Sequence, residues 1–472
     1  MTPARRVVIV GGGITGLTAA FSLASRSAEP LDITVLEARE RTGGLIHTSP
    51  FAGLDAVDEG ADAFLARVPW ATELAHDIGL TGALTSPSAS HAWIWHNTLQ
   101  PIPGDIMLGV PASVGSFSKS RLFSISGKLR AGLDLVLPQT KNNDCIGDYI
   151  RHRFGTQVQE RLVDPLVGSI YAADTDNFSI EAVPQIAALT ESRSMLLAAR
   201  KARSQVVSNE PVFATPLRGV GAMISTLEQR TIALGVRIQT NAAVSNIVRD
   251  GNSYRIATQG DIKQRNEIEN GEITADAVIL ASPAAHTARF TSSLHPDISR
   301  ALSQWDHADV ILVTLAIPRS QWSDTLTGSG YLVPKPDQRW VTAVSFGSNK
   351  WAHWKNNNND MILRVSLGRD GVEVMHLSDE EVINLVLADL TLHLGRDFVP
   401  RETRITRWVD AFPQYRPHHF ATLTNVEKTL HDIAPGVFLA GASYRGIGIP
   451  ACVQQAHHIA DTAAEYLSNL AD

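Results

Sequence analysis

The chain has 472 residues, with 41 Lys and Arg against 48 Asp and Glu for a net charge of −7. It has no basic run, so nucleic acid is not an expected partner. Its length exceeds what one hydrophobic core fills, so two or three domains are predicted. Two cysteines, Cys145 and Cys452, without a CxxC or Cys/His ligand spacing, argue for a reducing compartment and against a bound metal.

Met1-Thr2-Pro3 leads straight into an apolar run, Arg5–Val10, which leaves no room for a signal segment. No stretch approaches the roughly 18 to 20 apolar residues of a membrane span, so a cytoplasmic protein is expected, with peripheral contact to a membrane surface left open. The run is rich in β-branched residues and reads as a buried parallel strand ending in Gly11-Gly12-Gly13-Ile14-Thr15-Gly16. Gly11 permits the tight turn, Gly13 lets backbone approach a pyrophosphate, and Gly16 lets the following helix pack on the sheet. The helix start would direct N–H groups at the phosphates. A second strand ends at Glu37, twenty-one positions after Gly16, where a carboxylate can take ribose hydroxyls. Against a purely structural glycine turn, the combination favours a bound dinucleotide. Ala38 to Gly44, with Arg41, Gly43 and Gly44, extends the motif.

Further strands of one doubly wound sheet are expected at 236–248 (strand and return), 276–282 (ending in Ser282) and 436–441 (ending in Gly441), so other domains must be inserted into it. Residues 85–210 read as mostly helical, with apolar spacing of three and four at 147–154 and 157–167. Residues 290–425 read as strand-rich, with strands at 310–317, 330–333, 341–346 and 361–366. The architecture is therefore α/β: a Rossmann-type dinucleotide domain built from 1–84, 211–289 and 426–472, an inserted helical domain at 85–210, and a substrate domain at 290–425. Segments 260–271 and the asparagine-rich 355–360 read as polar loops. A last helix over 451–470 follows Ile447-Gly448-Ile449-Pro450, with Pro450 in the first turn. Its positive end can stabilise negative charge on a cofactor ring, or the helix can simply close the sheet.

The glycine pair after Glu37 resembles the flavin-containing amine oxidase and phytoene desaturase superfamily, which implies FAD. LAGASYRGIGIPACV near the carboxyl end and LVDPLVGSIYAADTDNFSI at 162–180 resemble, more specifically, the protoporphyrinogen and coproporphyrinogen oxidases. IPGDIMLGVP, SGKLRA, RFGTQVQERL, FATPLRGVGAMISTL, GSGYLVP and RWVDAFPQYRPHH match them in order along the whole chain.

The resemblance implies oxygen-dependent removal of six hydrogens from a porphyrinogen through FAD, giving peroxide, with the chemistry carried by the cofactor. It implies a flavin-contacting loop at Gly60, Ala61, Asp62 and Ala63, with Asp62 orienting or deprotonating a pyrrole N–H or else serving as a loop cap. Val244 would lie on the adenine side, and Trp408 would match a flavin-domain tryptophan or be core. Ser169, Ile170 and Tyr171 would face the macrocycle, although the family's two glycines here are Ser169 and Ala173. His91 stands where an arginine often holds a propionate. The His418-His419 and His457-His458 pairs read as surface or packing residues, leaving no metal site. Coproporphyrinogen III is the favoured substrate because the pattern resembles the Gram-positive, cytoplasmic form. Protoporphyrinogen IX is the alternative, and an amine oxidase, a carotenoid desaturase or a non-catalytic flavin scaffold are more distant ones. Oligomeric state is unread, and another enzyme of haem synthesis is a candidate partner.

Overall fold

The computed structural model describes residues 4–27, 29–89, 91–139, 144–205, 211–259 and 272–470. The loop expected at 260–271 lies outside them.

The apolar run Arg5–Val10 buries its last four residues and pairs in parallel with Leu31–Leu36 on one side and Ala277–Leu280 on the other. Arg237–Gln239 and Val437–Leu439 complete a five-stranded sheet in the order Arg237–Gln239, Leu31–Leu36, Arg5–Val10, Ala277–Leu280, Val437–Leu439. Every pairing in it is parallel, and strand residues carry side chains to apolar clusters on both faces, as a doubly wound sheet requires. The helices Ile14–Arg26 and Ile449–Asn469 pack against each other on one face, with Ser22 Oγ 2.8 Å from His457 Nδ1.

One expectation for this sheet is corrected. Only the first part of 236–248 belongs to it. The chain turns at Asn241 (φ 54°), and Ala243–Asp250 pairs antiparallel with Ser253–Gln259 in a separate three-stranded sheet completed by Glu272–Ala275.

A seven-stranded sheet runs Glu402–Pro413, His307–Ile317, Met361–Leu367, Val341–Phe346, Gly330–Leu332, Trp93–His96, Thr98–Pro101. Its last two strands come from the segment expected to be helical. Trp93–His96 carries aromatic and β-branched residues, and it pairs in parallel with Gly330–Leu332. The helix Asp379–Leu394 covers one face, opened by a Ser378/Glu381 capping box and closed by Gly395 in the left-handed region.

The remaining inserted segment is helical and has its own core. Ile146–Phe154 is followed by a helical stretch that passes through a π-turn at Gln159–Val163 and continues as Asp164–Tyr171. The asparagine-rich segment is a turn, as expected, but it is anchored: Asn356 Nδ2 donates to Ala52 O, and Asp360 is buried.

Candidate active site

The first glycine turn meets three separate requirements. A Cβ on Gly16 would lie 1.9 Å from Gly11 O, so only glycine lets the first helix lie this close to the strand. Gly11 has φ 109°, and a Cβ there would lie 2.7 Å from Ala281 O at the end of the neighbouring strand, beside Ser282. A Cβ on Gly13 would meet no protein atom within 4 Å, so that position opens onto free space at the start of the helix that begins at Ile14 and Thr15.

The second glycine pair closes over the first. Gly43 N–H donates to Gly12 O at 2.8 Å, Gly13 and Gly43 form a parallel bridge, and a Cβ on Gly44 would lie 3.5 Å from Gly13 Cα. Arg41 curls around this loop, donating to Thr42 O, Gly44 O and Ile46 O.

Glu37 is buried at the tip of its strand. Its Oε2 accepts from Gly12 N–H at 2.8 Å and its Oε1 from Arg39 N–H at 2.9 Å, which fixes the carboxylate while leaving lone pairs for hydroxyl donors. Asn241 N–H donates to Arg39 O and Ala242 N–H to Glu37 O, so the chain reaches Val244 alongside Glu37, Ala38 and Arg39.

At the carboxyl end Gly441 takes φ 129°, where a Cβ would lie 3.8 Å from Ala281 O and Thr15 Oγ1, and Gly446 takes φ 130°. The last helix starts at Ile449, two residues before its expected start, with Gly448 as N-cap and Pro450 in the first turn. The first turn's N–H groups have no partner within the helix. Ile447 packs on the core of the helical segment, whereas Ile449 is buried on the dinucleotide-sheet side.

The Gly60 loop is held from two sides. Arg364 donates through Nη2 to Gly60 O, and Trp408 Nε1 donates to Glu59 O at 2.9 Å while its ring edge lies against Gly60. Trp408 thus supports the loop from below. Asp62 accepts from Lys350 Nζ at 3.0 and 2.9 Å and from Trp351 Nε1 at 3.1 Å, and Arg364 Nη1 lies 3.4 Å away. Burial alone would raise its pKa, but Lys350 and Arg364 outweigh burial and hold the carboxyl well below the usual carboxylate range. Asp62 is therefore a permanent anion and a poor proton acceptor at neutral pH. Ala63 packs with Trp351 and Trp354.

Near the helical segment, Asp164–Tyr171 ends with Ala172 in the left-handed region at φ 49°. Ile170 is 46% exposed, Ser169 is exposed and spends its hydroxyl on Leu166 O, and the Tyr171 ring lies tilted against Phe178 at 5.0 Å. The His91 ring is exposed, 3.3 Å from Thr327 Oγ1 and edge-on to Trp93, and its carbonyl accepts from Ser329 N–H.

Among the described residues no three His, Cys, Asp or Glu side chains gather as for a metal, and no helix is long and apolar enough to cross a membrane.

The sequence reading missed Lys350, Trp351 and Arg364. They lie 288 to 302 positions from Asp62, and only the tertiary fold brings them to it.

An open glycine cradle, a pre-oriented carboxylate one strand away and a helix N-terminus at the far end fit the phosphates, the ribose and the ring of a flavin dinucleotide. These features define an FAD-dependent oxidoreductase. The chain belongs to the flavin containing amine oxidoreductase family, whose model matches residues 14–464, and FAD is its cofactor. Within that class it is 32% identical to the coproporphyrinogen III oxidase of Bacillus subtilis (strain 168), over 98% of each chain. It is 28% identical to the enzyme of the same name from Staphylococcus aureus (strain NCTC 8325 / PS 47), over 96% of this chain and 97% of that one. A solved structure of a candidate protoporphyrinogen oxidase from Exiguobacterium sp. 255-15 superposes with a TM-score of 0.85 at 29% identity, covering 98% of this chain and all of the other.

Proposed function

We propose that this chain oxidises coproporphyrinogen III to coproporphyrin III in haem synthesis, in the bacterial cytoplasm. Each pair of hydrogens removed reduces one O2 to one H2O2. The observation that carries the reading is similarity to coproporphyrinogen III oxidases along the whole length of both chains, including the inserted helical segment where a substrate would lie. FAD, when bound, supplies the two-electron acceptor.

The chain's own groups do the rest. Gly11, Gly12, Gly13, Ile14, Thr15, Gly43 and Gly44 hold the pyrophosphate, with Arg41 shaping the second loop. Glu37, Ala38, Val244 and Ser282 hold the adenosine end. The loop from Gly60 to Ala63, with Trp408 beneath it, and the turn from Gly441 through Ile447, Gly448 and Ile449 flank the ring. The positive end of the last helix favours negative charge there. Asp62 holds Lys350 and Arg364 in place as an ionised anchor and is not assigned as a base. Ile170 and Tyr171, with Ser169, offer an apolar and aromatic surface to the flat macrocycle. The exposed ring of His91 is the candidate partner for a propionate.

Protoporphyrinogen IX is the second reading, favoured by the Exiguobacterium structure. The deciding experiment compares oxidation rates of the two porphyrinogens by porphyrin fluorescence, corrected for spontaneous oxidation in air. Faster turnover of coproporphyrinogen III is expected, and faster turnover of protoporphyrinogen IX overturns the assignment.

A further inference from the structure

The long strand Glu402–Pro413 runs into two buried residues, Gln414 and Tyr415, and Gln414 Nε2 donates back to Phe412 O of that strand at 2.9 Å as well as outward. Gln414 Nε2 donates to Tyr171 O at 3.1 Å, and Tyr415 O accepts from Ser179 N–H at 2.8 Å, so this dipeptide grips the end of the Asp164–Tyr171 helix and the turn that follows it. The Tyr415 side chain reaches the other way. Its hydroxyl donates to Ala442 O and accepts from Gly446 N–H at 2.9 Å, spanning the short helix Ala442–Arg445 from end to end. The ring is wedged between His419 (4.7 Å) and Phe178 (5.8 Å), and Phe178 in turn packs at a tilt against Tyr171.

The neighbours complete the grip on the first side. Asp370 N–H donates to Ala172 O, and Arg369, paired with buried Asp164, donates to Ala173 O. Three consecutive carbonyls at a left-handed corner are thus each held by a different donor from the segments that directly follow two strands of the sheet. Such a corner has no freedom to shift unless the sheet residues shift with it.

We propose that Gln414 and Tyr415 act as one positioning element, setting the corner Tyr171–Ala173 at a fixed distance from the turn that carries Gly446 to Ile449. The inference rests on the assignment above of the first to the macrocycle and the second to the flavin. Gln414 holds the macrocycle side and the Tyr415 hydroxyl the flavin side, so a change at either residue moves one wall of the site relative to the other. Neither residue touches a reacting atom.

Tyr415→Phe keeps the ring and removes only the oxygen, stranding Ala442 O and Gly446 N–H. The expected variant folds with native circular dichroism and full FAD content, but has a shifted flavin midpoint potential by anaerobic dye equilibration and an altered visible band. Its kcat falls roughly tenfold with little change in KM. Gln414→Leu is expected to leave the potential unchanged and to raise KM roughly fivefold. An unchanged potential and visible band in Tyr415→Phe overturns the proposal, whatever happens to turnover. Loss of fold or of FAD in that variant also overturns it, because the tyrosine would then serve stability or binding alone. Unchanged kinetics in Gln414→Leu overturns the macrocycle side. If the wild-type chain does not oxidise coproporphyrinogen III, the functional assignment falls, while the potential measurement still decides the flavin side.

Discussion

Gly13→Val separates cofactor binding from folding more cleanly than a change at any other glycine of the cradle. Gly13 has φ −73° and ψ −179°, a backbone conformation open to valine, and a Cβ there meets no protein atom within 4 Å. The protein loses only the difference between Gly and Val at an N-cap, about 1 kcal/mol, which for a chain of this size moves Tm by a few degrees at most. The isopropyl group does, however, fill the space a pyrophosphate needs. Losing two charge-assisted hydrogen bonds to phosphate at about 1.5–3 kcal/mol each weakens FAD binding by roughly two to four powers of ten. The assay is flavin content from the ratio of visible to protein absorbance after gel filtration, with apoprotein melting curves for wild type and variant run side by side. Comparing apo forms is essential, because bound FAD itself raises Tm. The expected result is a folded, colourless protein. A variant that keeps stoichiometric FAD refutes the phosphate-cradle reasoning, and an apoprotein that melts far below wild type refutes the claim that the space is empty of protein. Gly16→Val is the contrast: with Gly11 O only 1.9 Å from the added carbon, it should fail to fold.

Asp62→Asn is expected to retain FAD and lose roughly tenfold in kcat, as Lys350 and Arg364 lose their counter-ion, without moving the acid limb of the rate profile. A limb that vanishes in this variant would show that Asp62 titrates as a base after all. Burial pushes His419 from 6.5 down to about 4, helped by Arg445 and His307 and opposed by its bond to Tyr444 O. The unfolded chain then takes up a proton that the folded one refuses, so the contribution is complete above pH 6.5 and is lost as pH falls towards 4, at most roughly 3 kcal/mol. Denaturant titrations of wild type and His419→Gln across that window should converge at low pH; parallel curves would remove the histidine from the account. Arg369→Met leaves Asp164 buried and unpaired, and should cost about 3–5 kcal/mol in the same titrations. A loss below about 1 kcal/mol would mean that the pair is not a clamp.

The dinucleotide motif was legible because its requirements are local: Gly11, Gly13 and Gly16 lie within six residues, and Glu37 follows by one helix and one strand. Even the dispersed strands at 277–280 and 437–439 showed as short apolar runs, since a strand buried on both faces has no polar alternation to hide it. The return strand at Ala243–Asp250 was misplaced because its apolar content fits either sheet, and the left-handed turn at Asn241 alone decides which one it joins. Trp93–His96 was absorbed into a helical region because four residues carry too little periodicity to stand apart. At the site, Asp62 could be named but not its environment. A lysine at the end of a short helix and an arginine from a strand of the seven-stranded sheet turn a candidate base into a fixed anion, and no spacing along the chain announces that pairing. The brace of Gln414 and Tyr415 was hidden for the same reason: its partners come from two other segments, one at Tyr171 and one at Ala442 to Gly446.

The parallel sheet is threaded in an order that has a temporal meaning. Its central strand, Arg5–Val10, leaves the ribosome first, yet one of its neighbours is Ala277–Leu280 and the edge beyond that is Val437–Leu439. At ordinary elongation rates the first strand waits on the order of a minute for the last one. Until Ala277–Leu280 is made, Arg5–Val10 has only one of its two strand partners. A chain cut short before residue 437 lacks the edge strand and the turn from Gly441 to Ile449, and is expected to emerge without colour.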